Sequence, residues 1–101
     1  MDKIYKSIAD RNRRIILTML KDNEMNVNQI LANLSIGQAT LSSHLTVLRK
    51  AGLVSCRVSG KNRIYKLEST TVDELLKDIE QWREKDMRLV ADEIILRRKT
   101  T

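Results

Sequence analysis

The chain has 101 residues, enough for one domain, and a monomer of that length buries only about 65% of the surface its unfolded chain exposes. Its formal charge of +6 favours a polyanionic partner, and with only Tyr5, Tyr65 and Trp82 as aromatic residues it lacks the rings needed to stack single-stranded bases, so duplex is the better match. No apolar run reaches signal-peptide length or the roughly 18 residues of a membrane span, and one cysteine cannot form an internal disulfide, which together predict a cytoplasmic protein with no membrane partner.

In chain order, Ile4, Tyr5, Ile8 and Ala9 recur at helical spacing and predict a short helix over 3–9. Asp10 is placed to cap a second helix over 11–22, which turns Ile16, Leu17, Met19 and Leu20 inward. Residues 23–26 form a turn, and Asn26 caps a third helix presenting Val27, Ile30, Leu31 and Leu34.

The most informative stretch is 37–53. Successive residues about 100° apart on a helix bring Gln38, Arg49, Ser42, Thr46, Ala39, Lys50 and Ser43 into one small, polar or basic arc. Leu41, Leu45 and Leu48 fall on the opposite side, so one face packs while the other is left to make contacts. Short polar side chains suit a major groove about 12 Å wide, in which Gln pairs with adenine and Ser or Thr with several acceptors. From Gly37 to Leu67 there are six Lys or Arg residues (Arg49, Lys50, Arg57, Lys61, Arg63 and Lys66) and no carboxylate to repel phosphate. The helix begins either with Gly37 as its cap or two residues earlier, in a capping box of Ser35 with Gln38.

Leu53–Val58 and Arg63–Leu67 alternate as short strands around Ser59-Gly60-Lys61-Asn62, a turn with a basic tip. Lys61 and Arg63 there either contact a partner or discourage pairing at a sheet edge. Thr71-Val72-Asp73-Glu74 reads as a capping box that opens a C-terminal helix over 71–98, either continuous to about residue 97 or split at the polar run 83–86. Ile79, Trp82, Leu89, Val90 and Ile94 share its apolar stripe, which is broader than a small monomer can cover. Val72 to Ile79 belong either to the core or to a face shared with a second subunit.

Three motifs, in this order and spacing, resemble the ArsR family of bacterial winged helix-turn-helix repressors. They are Ala9-Asp10-Arg11-Asn12-Arg13-Arg14-Ile15-Ile16-Leu17, Gln38–Leu45 with Val47–Val54, and Gly60-Lys61-Asn62-Arg63-Ile64-Tyr65-Lys66-Leu67. The family usually has Pro where Arg11 stands. The resemblance implies a mainly α single domain over 1–101 with a small β-hairpin wing, in which 26–51 is the helix-turn-helix, 53–67 the wing and 71–98 a dimerisation helix. It implies a homodimeric repressor on a palindromic operator of double-stranded DNA. Expected DNA contacts are Gln38, Ala39, Thr40, Ser42, Ser43 and Thr46 on the helix, with Lys61, Asn62, Arg63 and Arg57 from the wing. The expected dimer interface is Ile4, Tyr5, Ile8, Ile79, Trp82, Leu89, Val90 and Ile94.

Many members of that family sense metals through Cys pairs or through His and carboxylate clusters. Here Asn26-Val27-Asn28-Gln29-Ile30 replaces the Cys-bearing motif and no His follows His44, so no metal site and no cofactor is expected. His44 reads as a packed or phosphate-facing residue rather than a ligand. Cys56 reads as a small buried hydrophobe, with redox sensing as the alternative. Nothing resembles a catalytic constellation, so an enzyme is not expected. The competing readings are a winged-helix protein-interaction module and a nonspecific basic DNA-binding protein, and the acid-free stretch over 37–67 argues against the first.

Overall fold

The computed structural model describes residues 1–83 and 94–95. Over these residues the chain forms α1 (Asp2–Ser7), α2 (Arg11–Leu20), β1 (Met25–Asn26), α3 (Val27–Leu31), α4 (Gln38–Lys50), β2 (Val54–Ser59), β3 (Asn62–Leu67) and α5 (Ser69–Glu80). This is a single, mainly helical domain with a small antiparallel sheet, in which β3 lies between β1 and β2.

Local chemistry sets most of the boundaries. The Asp10 carboxylate accepts the Arg13 amide at 3.1 Å and starts α2 without the proline expected there. Asn26 and Gln29 form a reciprocal capping box at 2.9 and 2.8 Å, satisfying two amides that α3 cannot satisfy itself. Replacing Asn26 with Ala should cost about 0.5–2 kcal/mol of stability, read as a lower urea midpoint at unchanged slope. A loss below that range would mean that α3 is held by packing alone.

Gly37 caps α4, which decides between the two starts that the sequence leaves open. The helix ends where Gly52 turns to φ +78, with the amides of Gly52 and Leu53 bonded to the carbonyls of Arg49 and Leu48. That double closure is a Schellman motif, and it aims the chain directly into β2. Gly60, at φ +61, supplies the positive φ required in the first central position of the tight β2–β3 turn.

The core is the meeting point of every element except the sheet's outer face. Ile16 and Leu20 of α2, Ile30 of α3, and Leu41, Leu45 and Leu48 of α4 close on Leu53, Val54, Tyr65 and Leu75. Ile4 joins them and is buried, so it serves the core and not the exposed face expected to meet a second subunit. Val72 packs against the same cluster and Leu75 lies within it, whereas Leu76 and Ile79 stay exposed.

Three features differ from the sequence reading. The turn over 23–26 contains a strand, because Met25 and Asn26 pair with Tyr65 and Ile64 and make the hairpin a three-stranded sheet. Two residues carry no alternation to recognise. The last helix opens at Ser69 with Glu68 as its cap, and not at the Thr71 box, because β3 pairing ends with Leu67 opposite Val54 and the Glu68 amide is taken by Leu53 O at 2.9 Å. Finally, α5 ends at Glu80, where Trp82 and Arg83 fold back onto the carbonyls of Ile79 and Glu80. Residues 84–93 and 96–98 of the helix expected over 71–98, including Leu89 and Val90, lie outside the described residues.

Candidate nucleic-acid interface

Because Leu41, Leu45 and Leu48 anchor one side of α4, Gln38, Ser42, Thr46 and Arg49 are fixed as a line along another. The sheet supplies the facing wall. Alternation along β3 turns Arg63 and Tyr65 toward α4 and sends Ile64 and Lys66 to the opposite face. Between the two walls lies an open depression of about 340 Å³, bordered by Gln38, Ser42, Thr46, Arg49, Arg63 and Tyr65. A second, of about 270 Å³, continues to the turn and is bordered by Asn28, Gln38, Lys61, Asn62 and Arg63. Gln38 and Arg63 belong to both, so the helix and the wing form one polar, basic surface.

The side chains on this surface differ in what they have left to offer. Thr46 donates its hydroxyl to Ser42 O at 2.9 Å and Ser43 donates to Ala39 O at 3.2 Å, so both are already bonded to their own helix. Among the described residues the Gln38 amide and the Ser42 hydroxyl have no such partner. Ala39 and Thr40 are exposed near the start of α4 but border neither depression. Tyr65 is buried, and burial is the main cause that raises its phenol pKa, opposed by the guanidinium groups of Arg49 and Arg63.

Arg57 does not join the other expected contacts. Its register opposite Ile64 puts it on the far face of the sheet, where its Nη2 lies 2.6 Å from a Glu24 carboxylate oxygen. Lys66 shares that face and lies 4.0 Å from Glu68. The acid-free run is therefore divided by the pleat of the sheet, and carboxylates from outside the run meet two of its cations. Asn28 and Arg49 line the surface although neither was among the expected contacts. Arg49 was legible in the polar arc of the helix, whereas Asn28 carries no local signal, since only the packing of α3 against β3 brings it there.

His44 is mostly enclosed, its side chain 12% exposed between Arg13 and Asp10. Cys56 is half-buried on β2 opposite Tyr65. Among the described residues no three His, Cys, Asp or Glu side chains are grouped to hold a metal ion, and no helix is long and apolar enough to cross a membrane.

Tyr5 of α1 donates to Asp78 of α5 at 2.5 Å and stacks on Trp82 with ring centroids 5.8 Å apart. That hydrogen bond is the main reason the Tyr5 phenol pKa is pushed up to about 12. Leu76 and Trp82 are 57% and 56% exposed, and Ile79 and Ile94 are exposed as well. Tyr5 and Ile8 are half-buried and pack partly against the core.

This arrangement has close counterparts. The profile of the bacterial regulatory protein family arsR matches residues 10–55, from the cap of α2 into β2. The transcriptional activator HlyU of Vibrio cholerae is 38% identical over 73 residues, covering 72% of this chain and 68% of its own. The transcriptional repressor SdpR of Bacillus subtilis is 31% identical over 74 residues, covering 73% of this chain and 82% of its own. A crystal structure described as a possible transcriptional regulator for arsenical resistance superposes with a TM-score of 0.76 at 32% identity, covering 91% of this chain and 96% of that one. With α4 and the wing joined in one basic surface, the chain belongs to the arsR family of DNA-binding transcriptional regulators.

Proposed function

We propose that this protein is a homodimeric repressor that occupies an inverted-repeat operator in double-stranded DNA in the cytoplasm and thereby blocks transcription. The observation that carries the reading is the convergence of Gln38, Ser42 and Arg49 on α4 with Lys61 and Arg63 on the wing. In this reading Gln38 and Ser42 contact base edges, because their side-chain hydrogen-bonding groups have no partner among the described residues. Arg49, Lys61 and Arg63 contact phosphate, and Thr40, Ser43, Thr46 and Asn62 flank these contacts. Arg57 is left out, since it is already paired with Glu24. No cofactor is required for binding.

Dimer formation is supported by Leu76 and Ile79 on α5 and Trp82 just beyond it, which stacks on Tyr5, all three left exposed by the described residues. Two-fold symmetry would place the two reading helices on half-sites about 10 bp, or a multiple, apart. Sedimentation should give about twice 11.7 kDa. A monomer that still binds one operator tightly would overturn the dimer.

A contrast between two variants tests the recognition surface. Gln38→Ala should lose about 1–3 kcal/mol of discrimination at particular base pairs, whereas Lys61→Ala should weaken all sequences alike and flatten the salt slope by about 1 per protomer. Equal losses on operator and random DNA for Gln38→Ala would remove it as a base reader. If no duplex shows salt-dependent binding, the protein-interaction reading of the same surface takes over. If all duplexes bind equally, the protein is a nonspecific DNA binder.

A further inference from the structure

One guanidinium group joins three separate elements on the side of α4 away from the wing. Arg13, in the first turn of α2, donates through Nε to Ser7 O at 2.5 Å and through Nη2 to Lys6 O at 3.3 Å, two of the last carbonyls of α1. Its Nη1 lies 3.2 Å from Nδ1 of His44, midway along α4. Its backbone amide is held by Asp10, and the same Asp10 oxygen lies 3.9 Å from His44 Nε2. Arginine thus ties the end of α1 and the cap of α2 to the helix that carries Gln38 and Ser42.

The donor inventory of these groups sets what a hydrogen bond here requires of the ring. A guanidinium has only N–H donors, so a hydrogen bond between these two groups requires His44 Nδ1 to be the acceptor, without a proton. The ring hydrogen then sits on Nε2, toward Asp10. We propose that Arg13 is a positioning residue which, through neutral His44, sets the placement of α4, so that operator discrimination requires an unprotonated His44 and declines as the pH falls.

This inference rests on α4 being the DNA-reading helix. Protonation would give Nδ1 a hydrogen that points at Nη1–H, donor against donor and cation against cation, while the carboxylate of Asp10, 3.9 Å from Nε2, would attract the charged ring. The contact would pass from Arg13 to Asp10, and α4 would lose its tie to the end of α1. The Asp10 carboxyl is held below the usual carboxylate range, chiefly by the Arg13 amide, so it stays ionised where histidine titrates. On the other elements packed against α4, Asp2, Lys3 and Lys6 of α1 are exposed, and Arg57 of β2 is paired with Glu24. A positive His44 would also attract every DNA sequence, so the quantity that reports the tie is the ratio of operator to random-DNA affinity and not affinity itself.

His44 is the only histidine of the chain, so its ring signals need no assignment. In the DNA-free protein, long-range proton–nitrogen NMR at about pH 7.5 should show the Nε2–H tautomer, and an Nδ1–H tautomer would overturn the proposal on its own. The affinity ratio for operator over random DNA should fall at least about fivefold between roughly pH 7.5 and 5.5. His44→Asn keeps an acceptor at the δ position but cannot titrate, and it should hold the ratio constant over the same range. An unchanging ratio in the unsubstituted protein, or the same fall in His44→Asn, overturns the proposal. Absence of operator preference at pH 7.5 would overturn the DNA-reading assignment and this inference with it, a result distinct from preference that ignores pH.

Discussion

Raising the salt from about 50 to about 200 mM should lower the affinity of the protein for its duplex site on the order of a thousandfold. The expectation follows from counting cations on one surface and not from the net charge. Arg49, Lys61 and Arg63 border the joined depressions, which gives six phosphate contacts in a dimer, and each released counterion contributes about 0.9 to the logarithmic slope. Counting Arg57 and Lys66 as well would give a steeper dependence, but both face away from α4, and Arg57 is neutralised by Glu24. Fluorescence anisotropy across a salt series reads the slope directly. Arg57→Ala should leave it unchanged, whereas Arg63→Ala should flatten it. A clear flattening by Arg57→Ala would place the far face of the sheet against DNA and overturn the assignment of the surface.

Leu48→Ala should destabilise the domain by about 2–5 kcal/mol, the range for removing a fully buried leucine and leaving a cavity. Leu48 is fully buried, one of three leucines through which α4 meets the rest of the core. For a chain of this size such a loss lowers the thermal midpoint by about ten degrees or more, enough to unfold a marginal protein. Val58, 72% exposed on the wing, provides the control, and Val58→Ala should stay within about 0.5 kcal/mol. Denaturant titrations of both variants measure the difference. A cost below about 1 kcal/mol for Leu48→Ala would mean that α4 is not held by this face.

The tie through Arg13 adds a second constraint on the same helix. The leucines keep α4 in the core, but apolar contacts are non-directional and leave room for small shifts. A three-way hydrogen bond has direction, and here it relates α4 to α1, whose Tyr5 meets Asp78 of α5 and Trp82 just beyond that helix. The elements proposed to pair two subunits are therefore connected by named contacts to the element proposed to read DNA.

The sequence by itself determined the features that depend on near neighbours. The caps at Asp10 and Asn26, the leucine face of α4, the turn at Gly60 and the succession of helices followed by a hairpin were all legible, because each is set by residues a few positions apart. What only the tertiary structure decided depends on residues far apart in the chain. The pairing of Met25 and Asn26 with β3, the burial of Ile4, the start of α5 at Ser69 and the loss of Arg57 to Glu24 had no local signal. The six cations of residues 37–67 show why. Their sum can be read from the chain, but the pleat of β3 sends Arg63 toward α4 and Lys66 away from it, and the register with β2 puts Arg57 beside Lys66 on the far face. Charge along a sequence is additive, whereas charge on a surface depends on which way each side chain points, and in a sheet that is fixed by pairing with strands elsewhere in the chain.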